Sequence, residues 1–143
     1  MKCFFCDIQS STDDKRITET DSFFSRFDDF PVSPGHAAIV PKKHVGSFFQ
    51  LTKPELKELY DLLRQTKLLI DREHRPDGYN VGLNEGTAAG QTIAHVHVHL
   101  IPRYAGDVAD PAGGIRNIIP MAGNYNKEAE KIGCGEYLNG GKV

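Results

Sequence analysis

The stretch Gln91-Thr92-Ile93-Ala94-His95-Val96-His97-Val98-His99-Leu100-Ile101-Pro102-Arg103 decides how the chain is read. Three of the six histidines fall here, each separated from the next by one valine. The two-residue period of a strand predicts that His95, His97 and His99 share one face, with Ala94, Val96, Val98 and Leu100 turned to the core. A single strand histidine is usually a half-buried polar residue satisfied by its neighbours. Three in register need another explanation, because each brings two ring nitrogens that want partners and protonating more than one crowds like charges. Something polar or anionic is expected on that face: a metal bound by three imidazoles, or a phosphate attacked and held by them.

Upstream, Asp77-Gly78-Tyr79-Asn80-Val81-Gly82-Leu83-Asn84 reads as a turn and a strand, and Glu85 to Gly90 connects it to the histidine run. Small residues there let backbone N–H groups approach a bound anion, although a plain hairpin loop has the same composition. Thr52-Lys53-Pro54-Glu55 is a capping box with an early proline. Leu56, Leu59, Leu62, Leu63, Leu69 and Ile70 follow at helical spacing, so one amphipathic helix is expected over 53–74, ended by Arg72, His74 and Pro76. His74 is expected at the surface near the helix end, where positive charge is favoured.

Nearer the start, 17–27 reads as a strand pair about an Asp21-Ser22 turn, with Phe23, Phe24 and Phe27 packing in the core. Prolines and a glycine mark Asp28 to His36 as a loop leading into a strand over 36–40. Polar residues 9–16 read as an exposed turn. Beyond Arg103, the apolar run 113–120 is expected to be a short docked segment, and 126–132 a brief helix within a tail over 121–143. These elements give an α+β class, an antiparallel sheet with one long helix and a short C-terminal one, in a single domain over 1–143.

Composition sets limits. A formal charge of −2 with both signs interspersed offers no broad basic surface, so no nucleic-acid partner is expected. The start reaches a charge at Asp7 too soon to make the apolar segment of a signal peptide, and no apolar run reaches spanning length, so no membrane partner and a cytoplasmic location are expected. Three cysteines fit reduced thiols or a metal better than a disulfide framework. Cys3-Phe4-Phe5-Cys6 has zinc-knuckle spacing but lacks a second CxxC, so on its own it reads equally as a redox pair or two buried thiols.

The alternating histidines, with Gly90-Gln91-Thr92 before them and Pro102-Arg103 and Gly106-Asp107 after them, resemble the signature of the histidine-triad (HIT) family. The likeness is to its bacterial and fragile-histidine-triad-like hydrolases and covers about Cys3 to Pro120. It implies the HIT-like fold, a homodimer, and nucleotide substrates, adenine nucleotides foremost. It implies that His97 is the nucleophile and that His99 donates a hydrogen bond. Asp28 would contact the ribose, Asn84, Gly90, Gln91, Thr92 and Ile93 would hold the α-phosphate beside His99, and His36 would support the triad. It further implies a structural zinc on Cys3, Cys6, His44 and His95, closed to substrate because four protein ligands leave no open position. Asn84 departs from the glutamine of the fragile-histidine-triad branch and agrees with the phosphoramidase-like branch.

Chemically, a neutral imidazole is both a good nucleophile and a good leaving group at phosphorus, which suits hydrolysis through a nucleotidyl-histidine. The expected activity is that of a nucleotide hydrolase or transferase at the α-phosphate of dinucleoside polyphosphates, with an adenosine 5'-monophosphoramidase or a non-catalytic nucleotide-binding protein as alternatives. For attack, one nitrogen of His97 must be unprotonated, so its other N–H is expected on a backbone carbonyl. Magnesium accompanying the substrate's phosphates is compatible with this chemistry. The rival within catalysis is a metallohydrolase with all three histidines on one zinc.

Overall fold

In the computed structural model, the described residues are 2–9, 12, 14–120, 122 and 123. The expected helix over 126–132, Cys134 and the glycine-rich end therefore lie outside them. Two compact units are distinguished, Met1–Ala105 and Gly106–Val143. The first contains α1 (Phe4–Gln9), β1 (Arg16–Glu19), β2 (Phe23–Phe27), β3 (Ala37–Pro41), α2 (Lys53–His74), β4 (Gly78–Gly82) and β5 (Val98–Arg103). The five strands form one sheet in the order β1-β2-β3-β5-β4, and every neighbouring pair is antiparallel. This is the α+β class expected from the sequence.

Helix α2 forms where the capping box places it. The Thr52 side chain accepts from the Glu55 N–H while the Glu55 carboxylate accepts from the Thr52 N–H, so two otherwise orphaned donors are met. The helix ends as Arg75 enters the left-handed region at φ 51°, followed by Pro76. Its buried residues Leu59, Leu62, Thr66 and Ile70 cover one sheet face, meeting Phe23, Ile39, Val96, Val98 and Leu100. Full burial of each aliphatic side chain contributes about 1.5–3 kcal/mol. His74 is half-buried rather than on the surface: its ring lies edge-on to Phe27, with centroids 6.0 Å apart. A Cβ at Gly35, whose φ is +83°, would come within 2.9 Å of that ring.

The opposite sheet face carries the site. Pleating sends Phe24, Ala38 and Val40 there, to pack with Cys3 and Phe5 from α1 and its preceding residue. A six-residue helix is too short for a sequence period to reveal, and α1 was not expected. In the β3–β5 register Ala38 faces His99, so His99 emerges on this same side.

The histidine run is only partly strand. β5 begins at Val98, and a tight turn precedes it, with the His95 N–H donating to the Ile93 carbonyl at 2.8 Å. This turn takes Ala94 out of the expected alternation, which the residues from His95 to Leu100 keep. Ala94 is exposed instead of packed, whereas Val96, Val98 and Leu100 enter the core beneath α2 and His95 is fully buried on the same side as His97, both rings resting against Phe5.

In the second unit, Gly114–Ile118 forms a short 3-10 turn. Ile115, Ile118 and Ile119 are exposed, so the apolar character that suggested docking is not reflected in burial.

Candidate functional site

The loop from Asp28 to His36 is tied at both ends, which fixes what it carries. The Asp28 N–H donates to the His36 carbonyl at 2.9 Å, and the Ser33 hydroxyl donates to the Pro102 carbonyl at 2.6 Å. Across the sheet, Gln91 braces the opposite loop. Its Oε1 accepts from the Gly86 N–H and its Nε2 donates to the Gly46 carbonyl, both at 2.8 Å, while its own N–H reaches the Gly86 carbonyl. Between these loops lies a cavity of about 390 Å³, walled by Asn84, Gly90, Thr92, Ile93, His97 and His99 on one side. Asp28, Asp29, Phe30, Phe4 and Phe5 complete the wall. Of the residues expected around a phosphate, Gln91 alone is absent from this wall.

Hydrogen bonding assigns the protons of three imidazoles. The Val32 N–H donates to His36 Nδ1 at 3.2 Å, so that nitrogen carries a lone pair and His36 Nε2 carries the hydrogen. His36 Nε2 lies 3.0 Å from His99 Nδ1, which must accept, leaving His99 as an Nε2–H donor. Burial, reinforced by the neighbouring His97 and His36, holds the His99 imidazole down to about 4, against a weaker opposing pull from Asp28. His99 is therefore neutral near pH 7. Burial also lowers His36, again opposed by Asp28. His97 Nδ1 lies 2.9 Å from the His95 carbonyl, which can only accept, so Nδ1 bears a hydrogen and in the neutral ring Nε2 carries the lone pair. That is the backbone bond a nucleophilic imidazole requires.

Asp28, His36 and His99 lie close enough together to suggest a metal site on distance alone. The proton assignment argues otherwise, because His36 Nε2 uses its hydrogen toward His99 and offers no lone pair.

A second constellation stands behind the cavity. Sγ of Cys3 and Cys6 and one nitrogen each of His44 and His95 all lie within 4.8 Å of one another. Cys3 Sγ is 3.3 Å and Cys6 Sγ 3.6 Å from His95 Nδ1, and Cys6 Sγ is 3.4 Å from His44 Nδ1. A tetrahedral zinc with bonds of about 2.3 Å to sulfur and about 2.0 Å to nitrogen sets its S and N ligands roughly 3.5 Å apart. His95 Nε2 donates to the Pro41 carbonyl at 2.8 Å, which leaves Nδ1 with the lone pair that a metal takes. The donor set fits a closed tetrahedral ion. The rival with three histidines on one metal does not fit, since His95 faces the cysteines while His97 and His99 face the cavity.

Phe4, Phe5 and Asp29 were not among the site residues expected from the sequence. The Phe5 ring sits 5.6 Å from that of His95 and 5.0 Å from that of His97, and Asp29 pairs with Arg26 at 3.1 Å. Two aromatics inside the CxxC were the only available sign.

A model of the HIT domain matches residues 9–106, from the end of α1 to just past β5. Over 103 residues the chain is 38% identical to an uncharacterized HIT-like protein of Mycoplasma genitalium, covering 71% of this chain and 73% of that one. Over 79 residues it is 43% identical to an AP-4-A phosphorylase of Mycobacterium tuberculosis, which spans 54% of this chain but 40% of the relative. A solved structure, the Zn-bound histidine triad family protein from Mycobacterium smegmatis, superposes with a TM-score of 0.67 at 29% identity, covering 76% of this chain and 79% of that one. With the sheet order, the paired imidazoles and the flanked histidine run already in place, these matches lead to one conclusion: the chain belongs to the HIT domain family.

Proposed function

We propose that the protein is a nucleotide hydrolase or transferase that cleaves at an α-phosphate through a nucleotidyl-histidine on His97. The observation that carries this reading is the His97 Nδ1–His95 carbonyl bond, which puts the hydrogen of the neutral ring on Nδ1 and its lone pair on Nε2, on a residue of the cavity wall. His97 Nε2 attacks phosphorus, the bond to the leaving oxygen breaks, and water then attacks the same phosphorus, forming an O–P bond as the N–P bond breaks, to release the nucleoside monophosphate and restore the imidazole. His99 Nε2–H donates to a phosphoryl oxygen as negative charge grows there. Thr92 and the backbone around Gly90 and Ile93 serve the same charge, beside Asn84. Asp28 accepts from the ribose hydroxyls, and His36 holds His99 in its donor tautomer.

A neutral His99 favours a leaving group that departs unprotonated. A phosphate does so near pH 7, whereas an amine must gain a proton. This supports dinucleoside polyphosphates, and the similar AP-4-A phosphorylase is in keeping with it. Asn84 is the residue that favours the alternative, a phosphoramidase. The cavity wall contains two aspartates and no lysine or arginine among the described residues, so a polyphosphate would bring its own cation, magnesium by chemistry. Asp29 is the less repulsive of the two, since its carboxylate is paired with Arg26 and Lys15.

Zinc on Cys3, Cys6, His44 and His95 is the structural ion of this reading, supported by the donor geometry and by the Zn-bound relative. A homodimer is supported by the exposed Leu68 and Leu69 of α2 and Val81 of the edge strand β4. No described helix is long and apolar enough to cross a membrane, in keeping with work in the cytoplasm.

Turnover over a panel of adenylyl and guanylyl anhydrides and amides tests the reading. Anhydrides should be cleaved faster than amides, releasing the monophosphate, and His97→Ala should abolish both. Cleavage that His97→Ala leaves intact, or none with any member, refutes it.

A further inference from the structure

We propose that the cysteine–histidine cluster governs the nucleophile, so that peroxide oxidation of Cys3 and Cys6 to a disulfide releases the metal and turns the enzyme down. The inference rests on His97 being the nucleophile, as proposed above, but its structural half stands on contacts alone.

His95 joins the two sites. One of its ring nitrogens faces both sulfurs, the other donates to Pro41, and its carbonyl is the acceptor that fixes His97 Nδ1–H. Phe5 joins them a second time, since it lies between the two cysteines in sequence and its ring rests against both His95 and His97. A shift of the Cys3–Cys6 segment thus reaches His97 through its hydrogen-bond acceptor and through its packing. Second contacts of this kind typically change metal affinity or activity about 10–100-fold when lost.

The cysteines are placed for the reaction. Cys6 is half-buried and approachable, whereas Cys3 is buried beside it. The CxxC spacing is the usual one for a reversible dithiol. The Cys6 thiolate attacks a peroxide oxygen, the O–O bond breaks, and hydroxide leaves with the electron pair. The Cys3 thiolate then displaces hydroxide from the Cys6 sulfenic acid. Two thiolates lose two electrons, and one peroxide becomes two hydroxides. A disulfide offers no thiolate, so the cluster retains only two imidazoles, too few for a closed tetrahedral site.

The test uses the full chain with Cys134→Ser, which removes the remaining thiol, loaded with one equivalent of zinc and treated with hydrogen peroxide. Peptide masses should show a Cys3–Cys6 disulfide, and a chromophoric chelator should register zinc release in step with it. Long-range ¹H–¹⁵N spectra should show His97 leaving its single Nδ1–H tautomer, and single-turnover adenylyl transfer should fall roughly 10–100-fold. Dithiothreitol with zinc should reverse all four. The proposal is overturned if no stoichiometric zinc is held, if peroxide yields sulfinic acid in place of the disulfide, or if zinc leaves while the His97 tautomer stays fixed. A tautomer shift in a protein with no adenylyl transfer before oxidation supports the coupling and refutes the functional reading.

Discussion

His36 Nε2 lies 3.0 Å from His99 Nδ1, and because the Val32 N–H occupies His36 Nδ1, the hydrogen in that contact belongs to His36. The chain of three donors and acceptors leaves His99 with its Nε2–H free to donate. Loss of the first ring should therefore act on catalysis through the second.

His36→Leu removes the donor that holds the His99 tautomer. Steady-state kinetics should show kcat falling roughly 10–100-fold, with a smaller change in KM, as small misplacements of reacting groups do. Imidazole ¹⁵N spectra should show His99 as a tautomer mixture. An unchanged His99 spectrum would show that its tautomer is fixed by something else.

Stability should depend on pH through the same ring. His99 sits at about 4 in the fold against an ordinary 6.5, so between those values the unfolded chain binds more protons. The stabilisation is complete above pH 6.5 and is lost as pH falls toward 4, by up to on the order of 3 kcal/mol. Burial of His36 acts in the same direction. Urea unfolding at pH 7.5 and pH 5, with zinc kept saturating, should show a larger acid loss for wild type than for His99→Asn. Equal losses would remove His99 from the account.

Gln91 should behave as a brace. Its two side-chain bonds span Gly86 and Gly46, and at about 1 kcal/mol each their loss in Gln91→Ala should cost about 1–2 kcal/mol of stability. Adenylyl transfer should fall modestly. Abolished transfer with unchanged unfolding would mean that Gln91 meets the phosphate directly.

Much of this was legible in the sequence, for local reasons. Thr52 and Glu55 are three residues apart and satisfy each other, so the start of α2 is written in adjacent letters, and its leucine spacing carries it to His74. The strand pair around Asp21-Ser22 is equally local. The histidine run was legible from His95 onward, with Val96, Val98 and Leu100 in the core as the two-residue period places them. What buries His95 is remote, with Cys3 lying 92 positions and Pro41 54 positions away in sequence, and a two-residue period contains neither. Nor does composition show that Gln91 spends its amide on Gly46. The expected donors of the α-phosphate and the observed cavity wall differ at that residue for this reason.

The central claim is that His97 bonds covalently to phosphorus. Protein mixed with an adenylyl anhydride labelled in its α-phosphate, then quenched in base, should carry a label that is stable in base, lost in acid and mapped by mass to His97. It should be missing from His97→Ala. Turnover without any such label on the wild-type protein, or a label that persists in His97→Ala, would contradict the account.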